Sequence, residues 1–193
     1  MNLFLQDGEP PDNVQDRGLT MNLSTDSSTR LALRALLLAG LVAGALDISA
    51  AILVNLLRDI PPVRILQSVA SGLLGREAYA GGAMTATLGL ALHFAMMFVI
   101  AGVYLGVSRP LSAALRHPFV AGPVYGIAVY VVMTFIVLPL SAFPHPMRTE
   151  ISAHLIGLAV HVTCVGLPIA FFMWGAWERR PGRSQSGSFE TSE

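Results

Sequence analysis

The sequence predicts an all-α polytopic membrane protein: four transmembrane helices in a bundle plus one short amphipathic interfacial helix. Three observations carry this. Of 193 residues, 53% are hydrophobic and only 12% charged, with a mean hydropathy of +0.61, whereas soluble domains carry about a quarter charged residues. Four apolar runs are each long enough to cross roughly 30 Å of hydrocarbon at about 1.5 Å per residue. Nearly every formal charge falls between or outside those runs.

Residues 1–30 hold Asp7, Glu9, Asp12, Asp16 and Asp26 among Pro, Gly, Ser and Asn. So little apolar surface cannot offset the entropy of ordering, which predicts a disordered tail. The tripeptide at Met1 recurs at Met21, which makes Met21 an alternative start. The first run, 35–57, is apolar except for Asp47, Ser49 and Asn55. Arg30 and Arg34 ahead of it resemble the start of a signal peptide, but the run exceeds an h-region of 7 to 15 residues, and a retained helix is expected.

After Pro61 and Pro62 the helical period puts Val63, Ile65, Leu66, Val69, Ala70, Leu73 and Leu74 on one side. Arg64, Gln67, Ser68, Ser71 and Gly72 fall on the other. This amphipathic helix, 62–74, is too short to span. It should lie in the interface or cover the bundle mouth. The remaining runs, 83–107, 119–143 and 151–174, contain no Asp, Glu or Arg. Pro139 and Pro168 each remove a helix hydrogen bond and should loosen spans three and four, while Pro123 lies in a tolerant first turn. Thr134 and Thr163 are placed to satisfy freed carbonyls. A second disordered tail, 179–193, closes the chain.

All twelve basic residues are arginine. Eight of them (Arg17, Arg30, Arg34, Arg109, Arg116, Arg179, Arg180, Arg183) flank one side of the four-span arrangement and four (Arg58, Arg64, Arg76, Arg148) the other. The bias places both termini in the cytoplasm, as expected for a bacterial inner-membrane protein, with Trp174 and Trp177 at the cytoplasmic interface. Zero net charge offers no footprint for nucleic acid. The single Cys164 permits no intramolecular disulfide and no zinc-finger spacing.

Three GxxxG spacings, Gly40/Gly44, Gly102/Gly106 and Gly122/Gly126, mark faces for close helix packing. The ionisable residues inside the runs are Asp47, His93, His154 and His161, and a charge near the bilayer centre costs a few kcal/mol. Asp47, His93 and His161 each sit about ten residues from the same membrane face, roughly 15 Å deep, and should share one layer. His154 is two turns nearer that face. Three readings fit: histidines hydrogen-bonded to carbonyls or to Asp47 for register, a proton or small-solute pathway, and haem or metal ligation by His93 and His161. His145, Arg148 and Glu150 in the third loop read as solvated surface.

No nucleophile elbow, phosphate loop, dinucleotide fingerprint or HExxH zinc motif is present, so a non-enzymatic protein without cofactor is expected. The bilayer is the expected partner, with a second copy or another membrane protein left open, and the alternative to a solute pathway is a non-catalytic membrane scaffold or partner subunit in which the GxxxG faces matter more than the histidines.

The strings HFAMMFVIAGVY from His93, GPVYGIAVYVVMTFIVLPLSAF from Gly122 and AHLIGLAVHVTC from Ala153 resemble small bacterial four-span inner-membrane proteins of the YagU type. The likeness covers roughly 35–178. It implies functional weight on His93, on Leu138-Pro139-Leu140 and on His161 or His154, although Gly157 here precedes His161 by four residues instead of directly. The family is linked to acid tolerance without a defined molecular activity.

Overall fold

A computed structural model describes residues 14–111, 116–144 and 150–178. Among them the protein is wholly helical, with four long apolar helices, one shorter helix and no sheet. Helix α1 is Val14–Leu56, with its apolar stretch at Thr29–Leu56. Helix α2 is Pro62–Leu74, followed by a 3-10 turn at Gly75–Tyr79. Helices α3 (Gly82–Ser108), α4 (Pro118–Leu140) and α5 (Ile151–Glu178) complete the bundle.

Two expected boundaries move. Helical backbone begins at Val14 and not after residue 30, because extending a nucleated helix is far easier than starting one; residues 1–13 lie outside the described residues, as does the tail at 179–193. Span three stops at Leu140 and not 143, where Ser141 turns extended just after Pro139.

The two intramembrane prolines act alike. The five-residue segment Met133–Val137 of α4 and the six-residue segment His161–Gly166 of α5 are π-helical. Leu138 N–H donates to Met133 O and Leu167 N–H to Val162 O, each five residues back. A proline ring presses on the carbonyl four residues before it. Widening the preceding turn gives that carbonyl room and keeps the backbone bonded inside the membrane. Thr163 Oγ1 donates to Ala159 O at 2.8 Å, satisfying one carbonyl beside the widened turn.

Helix α1 packs between α3 and the second half of α5, and α5 between α1 and α4. Lipid tails give helices no hydrophobic reason to associate, so backbones approach at small residues. Cβ atoms built at Gly40 and Gly44 would strike the rings of Phe98 and Phe94, and Ala39 and Ala43 are fully buried beside them. The α4–α5 seam is tighter. A Cβ at Gly126 would lie 2.7 Å from His161 O, one at Gly122 2.9 Å from Leu167 Cα, and one at Gly166 would overlap Gly122 O. Gly102 makes only an ordinary contact with Leu36, and Gly106 faces open space, so this third spacing is not a close-packed seam.

Helix α3 and α4 meet through side chains: Tyr125 Oη donates to Ile100 O at 2.6 Å, and the Tyr104 and Tyr125 rings meet edge to face at 4.9 Å. Ala101, Val165, Ile169, Ala170 and Met173 fill the core at the end carrying the α3–α4 connection. Trp177 belongs to that core, buried, with the Arg116 guanidinium 4.2 Å from its ring centre, and is therefore not a lipid-facing anchor.

Helix α2 forms over the expected residues and is amphipathic, but it does not bury its apolar stripe. Its buried residues are Gln67, Ala70 and Ser71, while Leu73 and Val63 are exposed. Gln67 Nε2 donates to Gly82 O at 3.0 Å, Thr85 Oγ1 donates to Ala78 O, and the Leu66 carbonyl occupies the space a Cβ on Gly89 would need. The helix is held to α3 by polar bonds and a backbone contact. Part of its apolar side, Val63, Leu73 and Leu74, is left facing outward. Ala142 N–H donates to Gly72 O at 2.8 Å, tying the chain after α4 to the end of α2.

Candidate functional site

At the end of the bundle carrying α2 the helices do not close on one another. A cavity of about 1050 Å³ lies between α1, α2, α3, α4 and the start of α5. Asp47, His93 and His154 all line it, so three of the four intramembrane ionisable residues share one chamber. A second cavity of about 180 Å³ lies between α1 and α5 and is lined by Asp47 and His161. Asp47 borders both, as do Ala51, Asn55 and Ala153.

His93 is buried, and its Nε2 lies 2.9 Å from Gly44 O. A carbonyl can only accept, so Nε2 carries the hydrogen, and in the neutral ring Nδ1 is left as acceptor. The bond crosses from α3 to α1 one turn before Asp47. The closeness of the two helices at Gly44 makes it possible. His161 donates from Nδ1 to Gly157 O, four residues back on its own helix, at 2.9 Å. His154 Nδ1 is 2.6 Å from Tyr130 Oη, and its ring stacks on Phe135. The Tyr130 ring also meets His161 edge to face at 5.4 Å, so one tyrosine touches both α5 histidines. Both His93 and His161 are thus bonded to carbonyls, but only the His93 bond crosses between helices and can hold their register. Among the described residues no three His, Cys, Asp or Glu side chains come together as a metal-holding group.

The cavity wall holds residues that the sequence did not single out as a site. Arg64 and Arg76 line it near α2, with Tyr79 beside them. Arg64 Nη1 donates to Tyr79 O at 3.4 Å, and its guanidinium sits 5.5 Å from the Tyr79 ring centre. Asn55 donates from Nδ2 to Ala51 O at 2.8 Å, which leaves its buried Oδ1 without a hydrogen-bond partner. Arg64 and Arg76 had a sequence signal only as orientation charges. Tyr130 had none, because its partners come from another helix. His145 and Arg148 lie outside the described residues, and Glu150 is exposed at the start of α5.

The large chamber does not continue through the bundle as drawn by its walls. Beyond His93 the space between the helices is taken by Met97, Ile100, Ala101, Val165 and Ile169. Chemically the site is a polar pit in an apolar bundle, with a carboxylate and imidazoles toward the membrane interior and guanidinium groups toward the α2 end. No protein-family model matches the chain, and neither does any curated protein or solved structure. The likeness to YagU-type proteins thus rests on the quoted residues alone.

Proposed function

We propose that this is a one-sided binding site for a small charged solute, linked to protons through Asp47, in a membrane protein whose α2 end faces away from the cytoplasm. The observation that carries it is the grouping of Asp47, His93 and His154 around one chamber of about 1050 Å³. Ligand pockets usually span about 300–1,000 Å³, so this chamber is large enough for a small molecule with its water. The arginine bias of eight against four supports the orientation.

A carboxylate inside the membrane is costly when charged and unpaired. It therefore exchanges readily between holding a proton and holding a cationic group from a solute. The apolar plug below His93 separates this site from the other side, so passage needs a rearrangement of the bundle and not a static pore. The π segments beside Pro139 and Pro168 are the weakest points of α4 and α5 at which such a change would occur.

The scaffold reading draws less support, since Gly40, Gly44, Gly122 and Gly126 are occupied by contacts within the bundle. The test is proton flux into proteoliposomes holding a trapped pH dye, driven by a valinomycin potassium potential. Wild-type protein should acidify the lumen at least several-fold faster than Asp47→Asn. Equal rates with correctly inserted protein would end the proton-linked reading.

A further inference from the structure

The two kinds of charge in the large chamber stand at different heights. Arg64 reaches the carbonyl of Tyr79, just before α3 begins at Gly82, and Arg76 lines the same wall. Asp47 sits one turn from Gly44, whose carbonyl is bonded to His93, eleven residues into α3. At about 1.5 Å per residue, His93 is roughly 16 Å below the start of α3 and Asp47 about 5 Å nearer the α2 end, so the opposite charges are separated by roughly 10 Å along the bundle.

Resting on the one-sided binding site argued above, we propose that the large chamber takes an elongated dipolar molecule, its anionic group held by Arg64 and Arg76 and its cationic group by Asp47. A purely anionic ligand would leave the Asp47 carboxylate unpaired beneath it, and a purely cationic one would sit below two uncompensated guanidinium groups. The first leaves the Asp47 carboxylate without a partner inside the chamber, and the second leaves the exposed Arg64 and Arg76 at its mouth without the anion they are placed to bind. A molecule carrying both charges at that spacing satisfies each end, and the spacing itself discriminates against compact zwitterions.

At the anion end Arg64 lies against the Tyr79 ring and donates one of its five N–H groups to Tyr79 O, which leaves the remainder of the planar fork for an oxyanion. Arg76 is paired with no acid among the described residues. The buried, unpartnered Asn55 Oδ1, on the wall between the two charged levels, offers an acceptor to a donor on the ligand or to a water beside it. A chain of five methylenes sets ammonium and carboxylate up to about 8 Å apart, and with a hydrogen bond of about 2.9 Å at each end it bridges up to about 14 Å, enough for the axial separation of roughly 10 Å together with an offset across the chamber. An α-amino acid, with about 3 Å between its charged atoms, bridges about 9 Å and falls short.

The experiment uses the full chain in detergent and reads the rate at which phenylglyoxal modifies individual arginines by peptide mass spectrometry. The probes are 6-aminohexanoate, hexanoate, hexylammonium and glycine. Arg58, which lines the smaller cavity and not the larger one, is the internal reference. With 6-aminohexanoate, modification of Arg64 and Arg76 should slow at least fivefold relative to Arg58, at concentrations where the other three probes have little effect. Asp47→Asn should reduce the protection by 6-aminohexanoate to that given by hexanoate.

Equal protection by hexanoate and 6-aminohexanoate in the wild type would overturn the dipolar ligand in favour of a simple anion site. Protection by none of the probes would overturn it as well. The wild-type probe comparison needs no variant, so a poorly folding Asp47→Asn does not blunt it. Loss of protection alongside intact Asp47-dependent proton flux ends this inference alone, whereas loss of both ends the binding-site reading too.

Discussion

The two ends of the bundle are built on opposite rules. At the end with the α3–α4 connection, Ala35, Ala39, Ala101, Ile169, Met173 and Trp177 pack with the Tyr104 ring into a continuous core that, among the described residues, holds no carboxylate, imidazole or guanidinium group. At the α2 end the same four helices spread around a chamber that holds a carboxylate, two imidazoles and two guanidinium groups. The difference shows where the membrane fold is held together and where it can accept a ligand. Close packing of small residues supplies the association energy, and the open end draws on it.

The Gly-lined α4–α5 seam should be the most sensitive place to break. Gly126→Leu would drive a side chain into the α5 backbone at His161 and Val162, where no flexible side chain can give way. Overpacking of a tight contact costs about 1–3 kcal/mol and sometimes more. The expected result is the largest fall in thermal midpoint of any single change considered, measured by fluorescence-detected size exclusion after heating in detergent.

Gly89→Ala tests the attachment of the chamber's cover. The new Cβ collides with the Leu66 carbonyl, so α2 must lift from α3 while the core end is untouched. Amide exchange in 62–74 should rise strongly with a smaller change in the thermal midpoint. Unchanged exchange would mean that α2 is not held by that contact.

Tyr130→Phe removes the hydroxyl bonded to His154 and leaves the ring against His161. Hydrogen bonds between membrane helices average about 0.6 kcal/mol in double-mutant cycles, so a loss of that size is expected from equilibrium unfolding in mixed micelles. The smallest effect belongs to Gly106→Ala. Nothing lies within 4 Å of the added methyl, and the expected change is within about 0.5 kcal/mol. A large loss there would reveal a contact outside the bundle, such as a second copy of the chain.

Much of the fold was legible because the bilayer restricts the choices. An apolar run of sufficient length has only the helix as a way to satisfy its backbone, so the four spans and the 62–74 helix follow from the pattern of apolar residues. Legibility fails where two helices must be compared. The three GxxxG spacings look equivalent in the sequence, yet Gly126 meets backbone while Gly106 meets nothing. Helix α2 shows the same limit, since its period separates two sides correctly but does not say which side turns toward α3. Gln67 and Thr85 decide that, through bonds to Gly82 O at the start of α3 and to Ala78 O in the 3-10 turn before it.

The sequence alone determined that the protein is a helical membrane protein and that Asp47, His93, His154 and His161 are its intramembrane ionisable residues. Length, hydropathy and charge are local properties of one chain segment and need no partner to be read. Only the tertiary structure decided that Asp47, His93 and His154 face one chamber, that His161 and Asp47 line a second, smaller one, and that Arg64 and Arg76 belong to the wall of the first. Those relations depend on the rotation and separation of neighbouring helices. Backbone contacts at single glycines, the bonds between helices and the widened turns before two prolines set them, and hydropathy contains none of that information.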